Sequence, residues 1–123
     1  MNLKGIYAPI VTPFTADESI NYPVLEQLIE YLILNKIAGL VPGGTTGEVY
    51  AWNDQERLDI FQFVKEKVNG RVALIAGTNS GATRDVIRYS VAAGRLFQDD
   101  ESAYESQVVT RPDGGRFYGV WNQ

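Results

Sequence analysis

Cysteine and histidine are both absent from the 123 residues. Without cysteine there can be no disulfide and no thiolate metal site. Without histidine the commonest general base and the commonest metal ligand are missing, so chemistry must run on carboxylates, hydroxyls, tyrosines or lysines. Neither a metal nor a cofactor is expected. Positive charge is in deficit as well. A formal charge of −4 argues against nucleic acid or an anionic membrane surface as the main partner. Apolar runs such as Tyr31-Leu32-Ile33-Leu34 are far too short to cross a bilayer. The start, Met1-Asn2-Leu3-Lys4-Gly5, lacks the basic residues and apolar core of a secretory signal, so a cytoplasmic protein is expected.

What is present is the balance of a globular domain: 45% hydrophobic and 21% charged residues, enough for one modest core. Ile6 to Phe14 reads as a first strand, with two prolines that suit early termination and a loop. After Asp17 to Asn21, with Asn21 or a neighbour as cap, apolar residues at Leu25, Leu28, Ile29 and Leu32 predict a helix over 23–36. Lys36 falls in its last turn. Leu40-Val41 is a second strand. Asn53, with Glu56 three residues on, is a capping box for a helix buried through Leu58, Phe61, Val64 and Val68 and ended by Asn69-Gly70. Val72 to Gly77 is a third strand, apolar throughout, and Thr83 to about Ala93 a third helix packed through Val86, Ile87 and Val91. The order βαβαβα, at roughly 30 residues per unit, is that of right-handed parallel units.

Ligands on such sheets gather at the carboxyl ends of the strands. There lie Gly43-Gly44-Thr45-Thr46-Gly47-Glu48, Thr78-Asn79-Ser80 and Thr12. Glycines let the backbone approach a ligand closely, and paired threonines supply hydroxyls that donate or accept. The plain alternative is a strand-to-helix turn with no ligand. A nucleotide phosphate loop is excluded, because no Gly-Lys-Ser/Thr follows.

Beyond Gly94 the βα alternation stops. Asp99-Asp100-Glu101 is an acidic, solvated run. Two β-rich stretches, Gln107 to Thr110 and Phe117 to Trp121, flank Arg111-Pro112-Asp113-Gly114-Gly115, the turn chemistry of a hairpin over 107–121. Val108 to Thr110 is expected to pair with Phe117 to Val120. The division is therefore residues 1–94 and a divergent tail, 95–123. Trp121 and Phe117 read as edge-covering residues, since acidic surroundings repel nucleic acid.

Ile10-Val11-Thr12-Pro13-Phe14, Gly43 to Glu48, and Leu74-Ile75-Ala76-Gly77-Thr78 resemble, in order and spacing, the dihydrodipicolinate synthase / N-acetylneuraminate lyase family. The likeness covers about residues 3–93. It implies α/β architecture as a partial (β/α)8 TIM barrel, the first three of its eight units. It also implies class I aldolase chemistry, in which a 2-oxo acid such as pyruvate is held as a Schiff base. Thr45 would be the hydroxyl of the proton relay, a catalytic role. Thr46 and the Gly47 backbone would hold the substrate carboxylate, with Thr12 beside them and Glu48 bracing the loop. Thr-Thr leans towards the synthase branch.

The family's Schiff-base lysine and catalytic tyrosines belong to later strands, which this chain does not have. Lys4 precedes the first strand, Lys36 closes a helix, and Lys65 and Lys67 lie inside one, so no lysine is placed to attack a bound carbonyl. Tyr104 and Tyr118 do not match the tyrosine pattern. Three readings stay open: a catalytically incomplete piece of an aldolase, a non-catalytic binding or interaction module, and an engineered chimera on a partial barrel. In all three the inward sheet face, with Leu40 and Leu74 placed on it, lacks its barrel partners, so exposure, a covering tail or self-association is expected.

Overall fold

The computed structural model describes residues 4–97, 108–110 and 116–118. Three short strands, β1 (Tyr7–Pro9), β2 (Gly39–Val41) and β3 (Ala73–Leu74), form one parallel sheet in sequence order. Ala8 lies opposite Leu40, and Leu40 opposite Leu74. Helices α1 (Tyr22–Leu34), α2 (Asp54–Val68) and α3 (Thr83–Phe97) follow the three strands in turn. This is the α/β arrangement of three parallel units that the spacing predicts.

The strands are shorter than expected, although their pairing runs on. Ile10 N donates to Val41 O at 3.3 Å, Ile75 N to Leu40 O at 3.0 Å and Gly77 N to Pro42 O at 2.7 Å. Pro9 ends β1, and the segment beyond it crosses to a bridge between Phe14 and Ile20. Both proline effects were legible.

Helix starts follow the caps. Asn21 Oδ1 accepts from Val24 N at 3.2 Å. The box at α2 is complete: Glu56 N donates to Asn53 Oδ1 at 2.9 Å, and Asn53 N to Glu56 Oε2 at 2.8 Å. Asn69 ends α2 in the left-handed region at φ 47°. Helix ends were less predictable. Lys36 is not in the last turn of α1. It lies past the end at φ 62°, because Asn35 caps the helix with its backbone N–H. Helix α3 runs on to Phe97, beyond the expected Ala93, since Phe97 is fully buried and stacks its ring 6.1 Å from that of Phe61.

Two buried stripes differ from the sequence expectation. On α2 the core positions are Arg57, Ile60, Phe61, Val64 and Val68, whereas Leu58 is half-buried. On α3 they are Ser90, Ala93 and Phe97. Ile87 and Val91 are exposed and Val86 is half-buried, so none of the expected branched residues is fully buried on α3. A third correction concerns the sheet. Leu40 and Leu74 are fully buried in one cluster with Leu25, Ile29, Phe61 and Val64, so they lie on the helix-covered face. Side-chain alternation then gives the opposite face to Tyr7, Gly39, Val41, Ala73 and Ile75. It is there that the barrel's remaining strands would lie. Tyr7 and Ile75 are half-buried, and a Cβ on Gly39 would overlap the Tyr7 ring at 2.4 Å.

In the tail, β4 (Val108–Thr110) pairs antiparallel with β5 (Arg116–Tyr118), Val109 opposite Phe117. The expected second strand thus begins one residue earlier. Its turn, 111–115, its continuation into 119–121, the acidic run and Tyr104 lie outside the described residues.

Candidate functional site

Two glycines draw the strand-end loops together. A Cβ on Gly77 would sit 2.2 Å from Gly43 O, so the loops after β2 and β3 meet backbone to backbone. A Cβ on Gly47 would sit 3.0 Å from Ile10 O and 3.2 Å from Thr12 Oγ1, which brings the segment after β1 against the β2 loop. Thr12 is buried at this junction. The four expected site residues, Thr12, Thr45, Thr46 and Gly47, therefore fall in one cluster at the carboxyl end of the sheet.

The loop has a definite form. Thr45–Gly47 is a single 3-10 turn in which Gly47 N donates to Gly44 O at 3.1 Å and Glu48 N to Thr45 O at 3.0 Å. Glu48 then turns left-handed at φ 57°, and a second such turn, Val49–Ala51, leads to α2. Thr45 and Thr46 are exposed, and neither hydroxyl has a partner among the described residues. Two backbone contacts bear on the roles expected of Gly47 and Glu48. The Gly47 N–H is already engaged in the turn, so it can offer a ligand only a shared bond. Glu48 steadies the loop through its backbone, accepting from Ala51 N at 2.8 Å, while its side chain is exposed.

A polar network beneath the loop went unseen in the sequence. Arg57 is 4% exposed, donates to Asn79 O at 3.1 Å and stacks 3.9 Å above the Tyr89 ring. Burial lowers its pKa, although a guanidinium stays charged. Asn79 Nδ2 donates to the Tyr50 hydroxyl at 3.0 Å, while Asn79 Oδ1 and Trp52 Nε1 are buried without partners in the described structure. Thr78 Oγ1 pairs with Ser90 Oγ at 2.9 Å. At the rim, Tyr89 O–H donates to Asp54 Oδ1 at 2.5 Å and Arg88 to Asp54 Oδ2 at 2.6 Å. These bonds, Tyr89's first, hold the Asp54 carboxyl below its ordinary range, and the Asp54 bond raises the Tyr89 phenol. A charged residue at an apolar helical position was the one available signal.

No lysine reaches the loop cluster. Lys65 and Lys67 occupy the last turn of α2 rather than its middle, at the opposite end of the unit. Lys65 Nζ donates to Leu96 O at 2.5 Å, and Lys67 Nζ is paired with Glu26 at 2.8 Å. No group of three or more acidic residues placed to hold a metal occurs among the described residues, and none of their helices is long and apolar enough to cross a membrane.

Successive parallel βα units whose carboxyl-end loops converge on exposed hydroxyls define the α/β class that binds small ligands at its strand ends. Within that class the chain belongs to the dihydrodipicolinate synthetase family, whose model matches residues 2–96. It is 39% identical to the 4-hydroxy-tetrahydrodipicolinate synthase of Bacillus velezensis over 93 residues, 76% of this chain and 32% of that protein. Against the Bacillus subtilis enzyme of the same name it is 37% identical over 112 residues, 91% of this chain and 37% of that one. Its structure superposes with a TM-score of 0.75, at 32% identity, on the chloride-inhibited dihydrodipicolinate synthase of Acinetobacter baumannii complexed with pyruvate, covering 77% of this chain and 33% of that one. The chain thus spans about a third of the length of the relatives it matches.

Proposed function

We propose that the chain carries the carboxylate-binding corner of a pyruvate-dependent, Schiff-base aldolase or lyase, and that alone it does not complete the reaction. The observation that carries this is the pair of exposed hydroxyls of Thr45 and Thr46, without partners among the described residues, beside buried Thr12. A 2-oxo acid presents a carboxylate that accepts and a carbonyl that must be attacked. The Thr46 hydroxyl donates to the carboxylate, helped by the shared Gly47 N–H. The Thr45 hydroxyl, able to donate and accept at once, passes a proton. Pyruvate bound to the similar Acinetobacter protein supports this substrate class. A cytoplasmic setting belongs to the same proposal.

The attacking amine is what this chain lacks. Near-attack geometry asks for about 3–3.5 Å between nucleophile and carbonyl carbon. An activated lysine is desolvated, whereas Lys65 and Lys67 are engaged at the far end of α2. Incubation with pyruvate and borohydride, followed by intact-mass measurement, is expected to leave the mass unchanged beside a full-length control that gains one adduct. A stoichiometric adduct on one lysine would overturn the incompleteness. Binding is tested separately by NMR: millimolar pyruvate is expected to shift the amides of residues 45–47, and Thr46→Val to abolish the shift. The β4–β5 hairpin favours a second reading, a non-catalytic interaction module, in which those amides would not respond.

A further inference from the structure

The segment that carries Thr45 and Thr46 is built from two 3-10 turns, Thr45–Gly47 and Val49–Ala51, which meet at Glu48 in the left-handed region. Each turn closes on only a bond or two, with poorer geometry than an α-helix, so a loop made of them opens easily unless it is anchored from outside. Among the described residues, one side-chain hydrogen bond joins this segment to another part of the chain. The Tyr50 hydroxyl, in the second turn, accepts from Asn79 Nδ2 at 3.0 Å across 29 positions of sequence.

The two partners differ in burial. Tyr50 is 66% exposed, so packing does little to hold its ring, whereas Asn79 is 9% exposed. Asn79 is itself fixed from both sides. Its carbonyl accepts from the buried Arg57 Nη1 at 3.1 Å, and the preceding Thr78 bonds through Oγ1 to Ser90 Oγ of α3 at 2.9 Å. From that rigid base the carboxamide reaches one exposed hydroxyl. Turned over, it would accept the Tyr50 O–H instead of donating, so the link does not depend on which way the amide is set. We propose that Asn79 is a positioning residue. It holds the Tyr50 hydroxyl and, through Val49–Ala51, fixes the Thr45–Gly47 turn in the form that receives the carboxylate of a 2-oxo acid.

The ligand in this inference rests on the carboxylate-binding reading; the tether does not. Thr45 and Thr46 are exposed, and their hydroxyls have no partner among the described residues, so the backbone of the turn alone sets where they stand. A turn that opens must be ordered again when the ligand binds, and that ordering lowers affinity. Losing one net hydrogen bond is expected to favour opening, and to weaken binding, by roughly three- to tenfold. A Tyr50 hydroxyl that touched the ligand directly would behave differently, changing affinity and leaving the free turn as it was.

Tyr50→Phe removes the hydroxyl and leaves an exposed ring, so the helical circular dichroism of the full chain should not change. Gly47 and Glu48 carry the two N–H groups bonded inside the turn. Without pyruvate, their hydrogen exchange is expected to quicken roughly three- to tenfold in this variant, while the amides of α2 keep their rates. Asn79→Ala, which spares the carbonyl that Arg57 holds, should do the same. Adding Tyr50→Phe to it should then change nothing more, as befits two partners in one bond. In an NMR titration, Tyr50→Phe should raise the pyruvate concentration that half-shifts the amides of residues 45–47 by about the same three- to tenfold factor. Unchanged exchange at Gly47 and Glu48, additive effects of the two substitutions, or quickened exchange with unaltered pyruvate affinity would each overturn the proposal. A wild-type chain silent to pyruvate would overturn the carboxylate reading instead, and the exchange rates would still decide the tether.

Discussion

Asp54 shows how much of the loop's surroundings depends on single donors. Its carboxylate takes the Tyr89 hydroxyl and the Arg88 guanidinium, and the first of these does most to lower its pKa. A carboxyl lowered in the folded state contributes stability that is present above its unfolded value and is lost as pH falls through the folded one. That places the loss on the acid side of the ordinary carboxylate range. Because Asp54 is half in solvent, the effect on stability is small. Tyr89→Phe is expected to move the Asp54 midpoint upward, towards the ordinary value, in a carbon-detected NMR titration; an unmoved midpoint would assign the shift to Arg88 alone. Arg57 loses no hydrogen bond in that variant, since it stacks on the ring rather than the hydroxyl.

At the scale of the element, α2 sets the direction of the site loop, because the two 3-10 turns feed directly into its cap. Asn53→Ala removes the bond to Glu56 N and leaves a helix N–H unpaired. The expected cost is about 1 kcal/mol, read as a lower denaturant midpoint with unchanged slope. A larger loss would mean that the cap also holds the Thr45–Gly47 turn in place. The neighbouring loops tolerate less. Gly77→Ala would set a methyl 2.2 Å from Gly43 O, backbone that has no rotamer to yield, and is expected to cost about 1–3 kcal/mol or more by overpacking. Amide shifts spreading from Gly77 to Thr46 in that variant would show the two loops moving together. The caps of α1 and α2 were readable because capping is local chemistry, one side chain meeting an N–H within three residues. The register of the buried stripe was not. Ile87 and Val91 have the right spacing for a core, but so do Ser90, Ala93 and Phe97, and only the approach of α2 selects between the two faces.

For the molecule as a whole the core is one cluster between three strands and three helices, with Leu40 and Leu74 at its centre. Leu40→Ala is expected to cost about 2–5 kcal/mol. Folding nets only about 5–15 kcal/mol in an ordinary domain, so loss of most helical signal at 25 °C is the expected outcome in circular dichroism. The sequence by itself determined the order of the units, the helix starts, the proline-limited first strand and the loop that carries Thr45 and Thr46. Each of these is written in residues within a few positions of one another. Tertiary structure alone decided which sheet face is covered, since period-two alternation marks two faces without saying which one the helices take. It also decided that Gly47 spends its N–H inside the turn, and that Arg57 is buried against Tyr89 and the Asn79 carbonyl, 22 positions away in the chain. Contacts of that span have no local signature, because they depend on where whole elements come to rest.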